Sequence, residues 1–189
     1  MKKWMYILLL MTVILSACSS QASEKESDMK GIEDISLKQL SKHKNSYIGD
    51  NGAVGAILSD LPGNVIREYE IVDEKALKVT YGVKENTNDT EEQFDSFWFD
   101  KKDTIEKNYL YNALALFILI DNVEQVTLKM NSKDEPSVTF KRKQLEKKLP
   151  HSFKVYKDDI ALWQKELVGV VKSKDKRQDV YKAFPVKQS

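Results

Sequence analysis

Hydrophobic and polar residues alternate along this chain in two rhythms, that of the helix and that of the strand. Asp50 and Asn51 are both good helix N-caps, and after them Val54, Ile57, Leu58 and Leu61 recur at the i, i+3, i+4, i+7 spacing of one helical face. Pro62 and Gly63 end that run. Val65, Tyr69 and Ile71 then alternate with Glu68 and Glu70, and Leu77, Val79 and Tyr81 with Lys78 and Thr80, across a polar turn at Asp73 to Lys75. This pattern predicts a hairpin. A polar loop, KENTNDTEEQ, leads into FDSFWFD, whose Phe94, Phe97, Trp98 and Phe99 are expected to form a short strand or flap.

A helix capped by Asp103 or Thr104 is predicted to run to about Ile120, and its second half, YLYNALALFILI, is apolar nearly all the way round. A helix of that kind is buried on several sides. Val126, Leu128 and Met130, then Val138 and Phe140, predict a second hairpin across the turn NSKDEP. A last helix is expected from Asp158, with Ile160, Trp163, Leu167, Val170 and Val171 as its apolar stripe, followed by a polar tail. The expected class is α+β, an antiparallel sheet from two hairpins packed on a central apolar helix, with a further C-terminal helix.

The amino terminus follows a different pattern. Lys2 and Lys3 precede an apolar run from Trp4 to Leu15, and Leu15, Ser16, Ala17 and Cys18 spell L-S-A-C. A basic start followed by a short apolar run is the mark of a secretory signal, and the run falls short of the roughly 20 residues of a bilayer span. L-S-A-C resembles the lipobox of bacterial lipoproteins, which implies cleavage before Cys18 and its acylation. The expected organisation is a signal peptide over 1–17, a lipidated cysteine and flexible tether over 18–35, one α+β domain over 36–175 and a polar tail over 176–189. Cys18 is the only cysteine, so an internal disulfide and a cysteine-rich zinc site are excluded.

Charge divides the chain in two. Residues 19 to 128 carry 12 basic and 21 acidic side chains, net −9, whereas residues 129 to 189 carry 16 and 8, net +8. The basic half meets an anionic membrane or wall polymer, pairs with the protein's own acidic half, or is a solvated surface. Nucleic acid is not expected as a partner of a secreted, membrane-tethered protein.

Candidate chemistry is sparse. His43 and His151 are the only histidines and lack the H-E-x-x-H spacing of zinc peptidases, and neither G-x-S-x-G nor S-x-x-K occurs. GDNGAVG is not a phosphate-binding G-x-G-x-x-G, and Asp50 at the helix mouth would repel phosphate. Gly49 is read as shaping a turn, with Gly52 and Gly55 admitting a close neighbour. The adjacent acids Asp73 and Glu74, Glu91 and Glu92, and Asp158 and Asp159 read as turn, loop and cap residues. No metal or cofactor is expected. The FDSFWFD aromatics are either a binding patch, as interface aromatics are, or a covering element with Phe97 and Phe99 turned inward.

Tyr47, Gly49, Asp50, Asn51, Val54, Leu58, Leu61 and Pro62, in YIGDNGAVGAILSDLP, resemble the opening of the bacterial domain of unknown function family 4825. Asn112, Ala113, Leu116, Phe117, Leu119, Ile120, Asn122 and Val123, in NALALFILIDNV, resemble its helix and following turn, so the resemblance spans roughly residues 40 to 145. It implies a Gram-positive lipoprotein, sometimes found beside membrane peptidases of the β-lactam-sensor type, and transfers no catalytic residue.

The function expected is that of a non-enzymatic lipoprotein held by membrane lipid through Cys18, at the outer face of the cell membrane. It would bind a membrane-protein or envelope partner, with Tyr47, Asp50, Phe97 and Trp98 as candidate contacts. Two alternatives are an envelope hydrolase using carboxylates such as Asp50 or Asp121, and a carrier of a wall polymer or small ligand.

Overall fold

A computed structural model describes residues 27, 29–85, 88–99 and 103–188. The expected signal peptide and the lipobox residues Leu15, Ser16, Ala17 and Cys18 lie outside the described residues. Among those described, no helix is long and apolar enough to cross a membrane.

Short helix α1 (Leu37–Leu40) buries Leu37 and Leu40 and leads through a 3-10 turn to α2 (Asn51–Ser59). Asp50 caps α2 by accepting from the Ala53 N–H at 2.9 Å. Val54, Ile57 and Leu58 face inward on the predicted stripe. Strands β1 (Ile66–Val72) and β2 (Ala76–Tyr81) form the first hairpin. At its turn Asp73 and Glu74 both take positive φ, 52° and 56°, as a type I′ hairpin turn demands.

The segment expected as a strand or flap is instead a helix, α3 (Glu91–Phe99). Thr90 and Gln93 start it with reciprocal bonds, the Gln93 N–H to Thr90 Oγ1 and the Thr90 N–H to Gln93 Oε1. Phe94 and Trp98, four apart, are buried on one face, Phe97 is half-buried and Phe99 is exposed. Four aromatics in seven residues mimic a strand, and the capping residues preceding them decide for the helix.

Helix α4 (Thr104–Leu119) is the centre of the fold, with every residue from Asn108 to Leu119 buried. Strands β3 (Gln125–Met130) and β4 (Ser137–Lys141) make the second hairpin. The sheet order is β1-β2-β3-β4, and the middle pair, β2 with β3, is parallel. The sheet is thus mixed, two antiparallel hairpins side by side, because α3 and α4 carry the chain back across the sheet between them. Register puts Tyr69, Ile71, Leu77, Val79, Val126, Leu128, Val138 and Phe140 on one face, toward α4. Lys78, Thr80, Thr127, Lys129, Thr139 and Lys141 lie on the polar face.

The chain then covers the remaining sides of α4. Helices α5 (Arg142–Glu146) and α6 (Phe153–Asp158) precede one helical run formed by α7 (Ile160–Leu162), a π-helical turn (Trp163–Leu167) and α8 (Val168–Lys172). The cap of this run is Asp159, which accepts from the Leu162 N–H at 2.9 Å, while Asp158 ends α6. Helix α9 (Lys174–Ala183) runs into the segment expected as a polar tail from residue 176 and buries Arg177, Val180 and Tyr181. The expected tether also differs at its end, since Met29 belongs to the core and Ile32 packs against it.

Of the glycines, the close approach occurs at Gly63 rather than at Gly52 or Gly55. Gly63 has φ +66° and lies against the Trp98 indole, which a Cβ would overlap. A Cβ at Gly55 would sit 3.6 Å from Tyr69 Oη, an ordinary contact.

Candidate functional site

The last carbonyls of a helix have no partners within it, and their dipoles favour a cation. At the end of α4 that cation is Arg142. Its Nη2 donates to the carbonyls of Phe117 and Ile120, each at 2.5 Å, and its Nε to that of Val123 at 2.7 Å. The guanidinium also lies 5.3 Å from the Phe117 ring centroid and 5.4 Å from that of Phe153, and is fixed between them. Burial draws its pKa below the usual arginine value, with Glu146, Asp121 and Glu124 acting the other way.

Three connections converge on this point. The carbonyl of Lys75, in the first hairpin turn, accepts from the N–H groups of Glu124 and Gln125 at 2.7 and 3.2 Å. The Asp121 N–H donates to the Ser46 carbonyl at 2.9 Å, and Asn122 Oδ1 accepts from the Ile48 N–H at 2.8 Å. The Arg142 N–H donates to the Glu124 carbonyl at 2.9 Å. Between them opens a cleft of about 620 Å³, lined on one side by Lys141, Arg142 and Lys143. Of its other charges, Lys75 pairs with Glu124 at 3.1 Å and Asp121 with Lys157 at 2.7 Å. Lys141, Lys143 and Asp73 make no ion pair among the described residues.

Tyr47 is 61% exposed and does not line this cleft, although its chain neighbours Ser46 and Ile48 bond to Asp121 and Asn122. Asp50 is exposed and spends one carboxylate oxygen on its cap. Phe97 and Trp98 lie elsewhere. Trp98 is wholly buried among Tyr81, Phe94, Phe97 and Tyr109, with ring centroids 4.9 to 6.1 Å away, so it offers no surface to a partner. Phe97 lines a second cleft of about 420 Å³ between Gly31–Glu33 and Thr104–Asn108, at the opposite end of α4. Among the described residues, no group of three or more His, Cys, Asp or Glu could hold a metal.

Arg142 and its flanking lysines were not singled out from the sequence. Their only linear signal is the run KRK at a strand end, which is ordinary in a basic half.

The two stretches that open and centre the domain meet in space. Asn112 Nδ2 donates to the Pro62 carbonyl at 3.0 Å and to Tyr81 Oη at 2.8 Å, inside the core. Ser46 and Ile48 bond to the residues that follow α4. The polar signature residues Asn112 and Asn122 therefore tie the first block of the sequence to the second.

The fold is that of an α+β domain with helices on one face of a mixed four-stranded sheet. The chain belongs to the family described as Domain of unknown function (DUF4825), whose model matches residues 40–143. That stretch contains the whole sheet, α4 and Arg142, and stops before α6 to α9. No curated protein and no solved structure matches the chain.

Proposed function

We propose that the protein is a bacterial lipoprotein of a Gram-positive cell, held at the outer face of the membrane by an acylated Cys18, whose domain binds a membrane or envelope partner without catalysing its conversion. The observation that carries the binding reading is the charged cleft at the C-terminal end of α4. Its volume of about 620 Å³ falls in the range of small-molecule sites, and its central cation is already immobilised. The carboxylates that a hydrolase would use are otherwise engaged, Asp50 in capping α2 and Asp121 with Lys157.

The described chain enters the domain at the end of α4 opposite the cleft. From Cys18 to Met29 is 29 − 18 = 11 positions, a length that spans at most about 40 Å when extended. Gly31–Glu33 lie beside the first turns of α4, and a 16-residue helix puts the charged cleft about 24 Å further on. The tether thus joins the domain at one end of α4 and the cleft opens at the other.

Palmitate labelling of intact cells tests the anchor. The label is expected on the wild-type protein and absent from Cys18→Ala, which is expected in the soluble fraction. Crosslinking of the anchored protein is expected to recover a specific membrane or envelope partner. Recovery of none, together with turnover of wall fragments by the purified protein, overturns the reading.

A further inference from the structure

We infer that the charged cleft takes a singly charged oxyanion, a carboxylate or a phosphodiester, on Lys141, Arg142 and Lys143; this rests on the binding role just proposed. Glu124 neutralises Lys75 and Lys157 neutralises Asp121, so the unspent charge in the lining is that of Lys141 and Lys143 against Asp73, with Arg142 between them.

Arg142 supplies geometry as well as charge. Nε and Nη2 are committed to carbonyls, while Nη1 makes no hydrogen bond among the described residues. A guanidinium clamped between two rings has already lost its rotamer freedom, so an oxyanion binding to it pays little further ordering cost. Asp73 sets the limit on ligand charge, since a dianion or polyphosphate would bring a second negative charge toward it.

Calorimetric titration of the full-length protein in neutral detergent micelles at low salt tests this, with three probes: N-acetyl-alanyl-alanine, its C-terminal amide and dimethyl phosphate. At least one of the two anions is expected to bind about tenfold tighter than the amide, and about tenfold weaker when Lys141 and Lys143 are both replaced by alanine. Both lysines are exposed, so the double variant is expected to keep the wild-type melting temperature. Binding of the carboxylate alone identifies a peptide end as the source, and binding of the phosphodiester alone identifies a polymer or headgroup.

Anions that bind no tighter than the amide, or equally well to the double variant, overturn the inference. Equal binding of acid and amide, retained in the double variant, overturns the anion assignment while leaving the binding role standing.

Discussion

The two ends of α4 are closed by the same residue type in opposite ways. At the C-terminal end Arg142 meets carbonyls and aromatic rings, in the direction the helix dipole favours. At the N-terminal end, where the dipole favours anions, Asp103 and Glu106 stand in the first turn, and Arg177 reaches them from α9. Arg177 donates to Asp103 at 2.8 Å, to Glu106 at 3.3 Å and to the Val171 carbonyl at 2.7 Å. It is 1% exposed, whereas its carboxylate partners are 39% and 38% exposed. The first clamp's acceptors are carbonyls, which do not titrate, and two of the second's are carboxylates, which do. The first belongs to the family's matched stretch, and the second fastens the helices that lie beyond it.

Loss of Arg142 is expected to have the largest effect. Arg142→Ala leaves three carbonyls without their donor and empties the space between Phe117 and Phe153, a destabilisation of about 3 kcal/mol. Urea denaturation should show it as a lowered midpoint for the whole domain. Arg177→Met is expected to cost less, about 1–2 kcal/mol, because a side chain of similar length fills the site and the half-exposed carboxylates regain water. Hydrogen exchange should accelerate in α9 first in this variant, whereas in Arg142→Ala it should accelerate throughout α4. Equal effects across the domain in both variants would show that the two ends are not independent.

Acid is expected to act more on the N-terminal end than on the C-terminal one, and more gently. The hydrogen bond from Lys107 leads in holding the Asp103 carboxyl below its usual pKa, and the charges of Lys107 and Arg177 add to it. The unfolded chain therefore takes up this proton at higher pH than the folded one. The stabilisation is present above the ordinary aspartate range and is lost as pH falls through the folded-state value. Protection of α9 should weaken over that window, while protection near Arg142 changes less. In Arg177→Met this pH dependence should shrink, and an unchanged profile would remove Arg177 from the account.

The opposite charges of the chain's two halves also resolve into local pairs. Lys157 with Asp121, Lys172 with Glu33 and Arg177 with Asp103 and Glu106 join the basic half to the acidic one. Net charge by segment had left open whether the basic half turns outward or inward. Pair geometry decides for these three, because each basic group lies on a helix that packs near α4 or the amino-terminal segment.

Much of the architecture was legible in residue order. The α2 stripe, both hairpins and the buried α4 follow from periodicity, which depends only on neighbours a few residues away. Two elements were misread for a physical reason. In α3, the aromatic run Phe94 to Phe99 has no clean period, and the helix is settled by the capping pair Thr90 and Gln93. In α9, the inward stripe Arg177, Val180, Tyr181 begins with a charge, and only the carboxylates of α4's first turn make that burial tolerable.

The candidate site was less legible. Of the aromatic candidates, Tyr47 is exposed but does not line the cleft, and Trp98 is core. Arg142 went unnoticed because its distinction is where its donors go.

By itself, the sequence determined the α+β class, the central apolar helix, the cap of α2 and the lipobox pattern that motivates an anchored protein. These rest on local spacing and residue chemistry. Tertiary structure alone decided the parallel pairing of β2 with β3, the joining of the signature blocks through Asn112 and Asn122, and the two arginine clamps at the ends of α4. Each of these depends on groups far apart in the chain meeting within hydrogen-bond range, which no local pattern encodes.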